Sequence, residues 1–222
     1  MRPIGTLSPG EIKQCLETLE RRLRGPKPGL ASQLKMVPGH RRDDQTYQEF
    51  ADTCNQAGIL VLLYPRQGRL HVVLTRRTAN VAHHQAQISF PGGHRDSHET
   101  VLEAALREAE EEIGVPPSSV RILGTLTPLY VRPSNYCIYP VVATAGSRPD
   151  FRPSPHEVAE VLEVPLDHLR DEQYVRREIW PLGDLKMSIP FYFYQGHKIW
   201  GATAMIMAEL LDLLGENDHA ED

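Results

Sequence analysis

The chain has 222 residues, of which 41% are hydrophobic and 24% charged, which excludes a wholly disordered or fibrous chain and suffices for one domain with a sizeable core. Its 24 Lys and Arg against 29 Asp and Glu leave a net charge of −5, which argues against nucleic acid as a bulk electrostatic partner. No apolar leader opens the sequence and no apolar run reaches about 18 residues, so the expectation is a cytoplasmic chain with no membrane partner. Cys15, Cys54 and Cys137 form no CxxC pair. Neither a disulfide scaffold nor a four-cysteine zinc site is therefore expected, and a reducing compartment fits.

In chain order, Ser8, Pro9 and Glu11 stand at the N-cap, N1 and N3 positions of a capping box. Ile12, Cys15, Leu16, Leu19 and Leu23 follow at helical spacing, so residues 9–24 are expected to be a helix. Its apolar stripe must be buried on the rest of the chain or on a second subunit, which keeps a homodimer open as an arrangement. Gly25 and Pro26 end it, and the Pro-, Gly- and base-rich stretch to residue 44 reads as a connector crossing the surface. Residues 1–42 hold nine Lys or Arg against three Glu, and this basic arm reads as a solvated helix face.

Residues 57–65 and 69–77 flank a Gln67-Gly68 turn and read as a hairpin. A polar segment with His83 and His84 leads to the apolar run Ile88 to Phe90, and then to Pro91, Gly92 and Gly93. A helix is expected over residues 100–113, ended by Gly114. Strands are expected at 120–126, 136–145, 157–164, 178–181 and 188–194, and a buried helix at 200–214. Many strands, few helices and no regular βαβ alternation make the class α+β. The organisation expected is an N-terminal helix and basic connector over 1–44, one domain over 45–215, and an acidic tail over 216–222.

The helix at 100–113 carries the chemistry. Leu102, Ala105, Leu106, Ala109 and Ile113 form one stripe facing the core, while Glu108, Glu111 and Glu112 form another at i, i+3, i+4. Carboxylates so spaced repel by roughly 0.2–0.5 kcal/mol per pair, and near a helix C-terminus the macrodipole disfavours them further. A solvated acidic face and a cation site are the two readings. A bound cation reverses the sign of both penalties, and hard carboxylate oxygens suit Mg²⁺ or Mn²⁺. Arg107 is placed to pair with Glu111 or reach back to Glu99. The Pro91-Gly92-Gly93 turn allows backbone to approach a ligand closely.

Taken together, Gly93, Glu99, Arg107-Glu108, Glu111-Glu112, Gly114 and Val115 resemble the Nudix box G-x5-E-x7-R-E-U-x-E-E-x-G-U, with U a bulky aliphatic residue. Ala109 departs from the usual Ile, Leu or Val, a change of packing rather than of chemistry. Nudix resemblance implies an α/β/α sandwich around a mixed β-sheet, with an added N-terminal helix here, and hydrolysis of a diphosphate linked to another moiety. Residues 74–93, LTRRTANVAHHQAQISFPGG, are similar to the signature of the coenzyme A diphosphatase branch, as are 156–169 and 199–206. Thr78, Val81, Ala82 and Ala86 stand where that signature has Ser, Leu, Arg and Gly.

What the resemblance implies is a nucleoside diphosphate derivative as substrate, coenzyme A or an acyl derivative first. ADP-ribose or a dinucleotide, and a non-catalytic nucleotide-sensing domain, are the alternatives. Glu108, Glu112 and Glu111, aided by the Gly93 carbonyl, would hold the metal. Glu111 would be the general base, with Glu157 as competitor or as a further metal ligand. Arg107 would orient the carboxylates and Glu99 would anchor Arg107. Arg76 and Arg77 are candidates for phosphate contact because a guanidinium binds phosphate bidentately, and strand alternation turns only one of them inward. His83, His84, His94 and His98 are either substrate contacts or polar loop residues, and of these His84, with Gly92, belongs to the substrate-binding set.

If the signature Arg meets an anionic part of coenzyme A, Ala82 lacks a charge-assisted contact worth about 1.5–3 kcal/mol. Ala82→Arg is then expected to raise kcat/KM for coenzyme A by about one to two orders of magnitude, and by less for ADP-ribose. Parallel kinetics on both substrates check this. Equal changes on both would show that this loop does not set specificity.

Overall fold

In a computed structural model, residues 6–39, 47–78, 87–182 and 185–215 are described. Helix α1 (Pro9–Arg24) starts at the Ser8 capping box, where Glu11 closes back on Ser8 and Pro9 takes N1. The chain then forms the short helix α2 (Leu30–Gln33), the hairpin β1 (Asn55–Arg66) and β2 (Arg69–Arg77), and the short strands β3 (Ile88–Ser89) and β4 (Gly92–His94). Helix α3 (Val101–Ile113) is followed by β5 (Arg121–Thr125), β6 (Leu129–Val131), β7 (Tyr136–Thr144) and β8 (Val158–Pro165). Helix α4 (Leu166–Leu169), strands β9 (Val175–Leu182), β10 (Leu185–Tyr194) and β11 (His197–Trp200), and helix α5 (Gly201–Gly215) complete it.

The main sheet is mixed, because β1 runs parallel to β7 and antiparallel to β2 and β4. β2 leaves β1 after Leu63 and Val72, and the segment β3–Pro91–β4 wedges into the opening: Ser89 pairs with Thr75, Gly93 with Gly58. Side chains alternate between two cores, as strand period demands. On one face Leu60, Leu62, Tyr64, Val73 and Val141 pack under Ala105, Ala109 and Ile113 of α3. On the other, Ile59, Val61, Leu63, Val72 and Val142 meet α1 and α5. The result is an α/β/α sandwich, with β9, β10 and β11 as a separate antiparallel sheet.

Helix α1 buries its stripe on the domain itself, since Ile12, Leu16, Leu19 and Leu23 join the core shared with α5. Three expectations need correction. The connector does not merely cross the surface: Ser32 and Gln33 of α2 are buried, and the Gln33 amide donates to the fully buried Glu209 of α5 at 3.0 Å. Leu102 is 37% exposed, because α3 meets β1 through its small residues and its first turn tips Leu102 outward. Residue 200 ends a strand rather than opening the last helix. Strands β4, β6 and β11 carry no sequence signal of their own, being only three or four residues long.

The cysteines also differ from expectation. Cys54 and Cys137 form a disulfide across 83 residues of sequence. The parallel register that sets Asn55 opposite Tyr136 brings them together. The argument for a reducing compartment rested on unpaired cysteines and loses that ground. Closing a loop this long removes entropy mainly from the unfolded chain, so the Cys54→Ser/Cys137→Ser double variant is expected to lose about 2–4 kcal/mol in denaturant titrations. Unchanged stability would show that the bond is not formed in solution.

Candidate active site

The site lies where the C-terminal half of α3 crosses β4. Thr100 caps the helix in a second box with Glu103, and Gly114 in the left-handed region ends it. Between them the sequence places Arg107, Glu108, Glu111 and Glu112 on consecutive turns. Arg107 spends all five guanidinium donors here. Its Nε and Nη2 grip Glu99 at 3.1 and 2.8 Å, Nη2 also reaches the His94 carbonyl at 3.1 Å, and Nη1 holds Glu108 at 2.8 Å and Glu111 at 3.2 Å. Both readings of Arg107 from the sequence are therefore present at once. The Arg107 fork and the Asp96 N–H together pull the Glu99 carboxyl down to about 2.

Glu112 is only 2% exposed. Burial pushes its carboxyl up to about 7, against the opposing pull of the Arg77 guanidinium 3.6 Å away and of the Gly92 N–H at 3.3 Å. Burial also raises Glu108, and the charges of Glu111 and Glu157 act in the same direction. The Glu157 charge raises Glu112 as well, so the loop before β8 faces the same carboxylates. Glu111 remains outward, its side chain 58% exposed. Gly93 is the floor: a Cβ there would come within 2.5–2.7 Å of the Glu108 carboxylate group.

The two candidate arginines part company across a register shift in β2. Arg77 turns toward Glu112, and its buried Nε has no partner among the described residues. Arg76 takes the opposite face, where its Nε bonds Glu160 at 3.0 Å. Of the two, only Arg77 faces the carboxylates of α3, as the alternation of β2 requires. The Gly92 N–H is used on Glu112. His94 contributes its carbonyl, and its ring meets Tyr136 edge-on. His83, His84, Ala82 and Ala86 lie outside the described residues. Tyr136 was not foreseen, because only the β1–β7 register carries it to the rim.

Among the described residues no three His, Cys, Asp or Glu side chains form a ready cation cage. The donor set nevertheless fits a hard divalent ion. It consists of carboxylate oxygens, two of them raised by burial and mutual repulsion, over a backbone strip where a Cβ would not fit. In the structure the Arg107 Nη1 stands between Glu108 and Glu111 as their cation.

Residues 55–182 match the NUDIX domain. The chain is 37% identical over 144 residues to the uncharacterized Nudix hydrolase NudL of Pectobacterium atrosepticum, covering 63% of this chain and 72% of that one. Against the protein of the same name from Citrobacter koseri it is 36% identical over 162 residues, covering 72% and 83%. A solved Nudix hydrolase from M. Smegmatis, RenU, is 30% identical and covers 53% of this chain and 74% of its own, at a TM-score of 0.45.

A carboxyl raised by the fold favours the protonated form. Its contribution to stability is therefore best below pH 4.5 and is lost as pH climbs to about 7, by on the order of 3 kcal/mol for Glu112. In metal-free buffer Glu112→Gln is expected to melt above the wild type near neutral pH, with the gap closing as pH falls through this window. Thermal melts at stepped pH check it, and a Gln variant that melts below the wild type at neutral pH would refute it.

Proposed function

The chain belongs to the Nudix hydrolase family, and from that premise we propose that it cleaves the diphosphate bond of coenzyme A or its acyl derivatives. The observation that carries the proposal is the stripe of Glu108, Glu111 and Glu112, in which Arg107 holds Glu108 and Glu111, Glu108 lies against Gly93, and Glu112 is buried beside Arg77. Such a stripe costs folding energy, and a plain surface helix gains nothing from it. The coenzyme A assignment rests on the resemblance of residues 74–93, 156–169 and 199–206 to that branch.

Glu108 and Glu112 would hold Mg²⁺ or Mn²⁺, with Glu111 and the Gly93 carbonyl beside them. Bound there, the ion supplies a Lewis acid that neutralises the diphosphate oxygens. Arg107 keeps Glu108 and Glu111 in place, and Glu99 in turn fixes Arg107 by two parallel bonds. Glu111 is the general base of this reading, because its exposed carboxylate is open to water and can take the proton at Oε. Glu157 is the alternative base or a further ligand from the loop before β8. Arg77 offers its Nε, which has no partner among the described residues, to a phosphoryl oxygen, and Gly92 shapes the turn that the phosphates approach.

With Mg²⁺ or Mn²⁺, coenzyme A and acyl-coenzyme A are expected to be cleaved faster than ADP-ribose, NADH or diadenosine polyphosphates. Glu112→Gln is expected to lower kcat by about 100-fold or more. Chromatographic quantification of the phosphomonoester and nucleotide products across this panel is the test. Preference for ADP-ribose would transfer the substrate assignment to the wider class of nucleoside diphosphate derivatives. Wild-type turnover by the Gln variant at saturating metal would remove the metal assignment.

A further inference from the structure

Gly58 lies 35 residues before the first position of the matched box in this chain, Gly93, and no part of the chemistry above uses it. It belongs to the β1 parity of Leu60, Leu62 and Tyr64, the face covered by α3. An ideal Cβ at this position would stand 2.1 Å from the Val101 carbonyl oxygen, 2.9 Å from the Ala105 nitrogen and 3.1 Å from the Val101 carbonyl carbon. All three atoms are helix backbone, so no rotamer change relieves the contact. The first turn of α3 therefore rests directly on the backbone of β1.

The contact bears on the carboxylates because of helical periodicity. Val101, Ala105, Glu108 and Glu112 are spaced four, three and four apart, which places them on one face of the helix. The part of that face at 101 and 105 sits on Gly58. Seven residues on, about 10 Å along the axis, the same face sets the Glu108 carboxylate against Gly93, where a Cβ would approach within 2.5–2.7 Å. Gly58 and Gly93 are direct partners in the β1–β4 ladder. One rigid helix thus lies across two adjacent backbone positions that both lack side chains.

We propose that Gly58 is a positioning residue for the metal-binding carboxylates: by admitting the first turn of α3 to the backbone of β1, it sets the depth at which Glu108 and Glu112 meet β4. A methyl group here lifts the N-terminal end of the helix. The helix then tilts about its C-terminal anchorage, where Ile113 is buried under the sheet core and the Arg152 N–H donates to the Ile113 carbonyl at 2.8 Å. Glu108 leaves the glycine floor and Glu112, one residue from the pivot, shifts less, while the Arg107 bonds to Glu99 and the His94 carbonyl, which set the angle between helix and strand, are strained by the tilt. This inference rests on the metal-dependent reading above, and its test reads the two separately.

The experiment measures Mn²⁺ binding by electron paramagnetic resonance on the 222-residue wild type and Gly58→Ala. The metal activation constant, kcat and substrate KM are measured alongside, with Ile113→Val as a control that loosens the same core without touching the first turn. Wild-type binding reports on the metal reading alone. The expected result for Gly58→Ala is Mn²⁺ affinity and a metal activation constant weaker by about 10- to 100-fold, with substrate KM at saturating metal changed less than about twofold. A purely structural loss would lower the active fraction, hence kcat, and leave the activation constant where it was; Ile113→Val is expected to behave in that way. Thr100→Ala serves as a second variant, because it frees the first turn from its cap while keeping Gly58, and it is expected to weaken Mn²⁺ binding by about threefold. Wild-type Mn²⁺ affinity in a folded Gly58→Ala would overturn the proposal. If that variant does not fold, unchanged affinity in Thr100→Ala would overturn it equally. A wild type that binds no Mn²⁺ would overturn the metal reading and the proposal with it, whereas binding by the wild type that the variants retain overturns the proposal alone.

Discussion

Three glutamates on the last two turns of one helix repel one another and oppose the helix dipole, and much of the architecture around α3 answers that constraint. Arg107 carries the largest share. Its five donors are divided among two carboxylates of the helix, the Glu99 carboxylate ahead of it and the His94 carbonyl of β4. Because the fork is planar and rigid, those bonds also fix the angle between helix and strand. The loop from His94 to Thr100 is thereby tied to the helix it precedes. Neutralising the charges and positioning them are one interaction.

What Arg107 leaves unsettled is Glu112, which lies too deep for its reach. Arg77 approaches from β2 at 3.6 Å and the Gly92 N–H from β4 at 3.3 Å, yet burial still dominates and the carboxyl is raised. A buried acid held in this state gains by meeting a divalent cation, since a charge of +2 offsets desolvation more than a distant guanidinium does. In the proposed metal-dependent reading, the stability lost in the metal-free protein and the affinity for metal are two faces of one electrostatic term. The neighbouring Arg77 has no partner at its buried Nε among the described residues.

The opposite layer meets a quieter demand. Helix α1 and the connector add apolar surface to the sheet face that α5 alone would cover, and the seam is closed by polar groups. Glu209, fully buried on α5, accepts from the Gln33 amide and from the Thr127 hydroxyl and N–H. Every such bond is needed, because an unpaired carboxylate at that depth would cost several kcal/mol. Residues 30–36 are thus part of the fold rather than a tether, and the disulfide holds the start of β1 to β7 at the far side of the sheet.

Local physics made the long elements legible. The capping box at Ser8, the Gln67-Gly68 turn and the Gly114 stop are interactions between residues close in sequence, and they mark α1, the hairpin and α3 within a residue or two. The acidic stripe was readable for the same reason, since i, i+3, i+4 spacing fixes which side chains share a helix face. Contacts between distant segments were not readable. The cysteines 83 residues apart, the division of Arg76 from Arg77, the buried Gln33 and the descent of α3 onto Gly58 each depend on strand register or helix depth. The sequence by itself determined which residues carry charge along α3 and where that helix begins and ends, because those follow from backbone geometry over a few residues. Only the tertiary structure decided how deep each carboxylate sits and which guanidinium faces it, because depth and facing are set by the pairing of β1 with β2, β4 and β7, and no short-range pattern encodes that pairing.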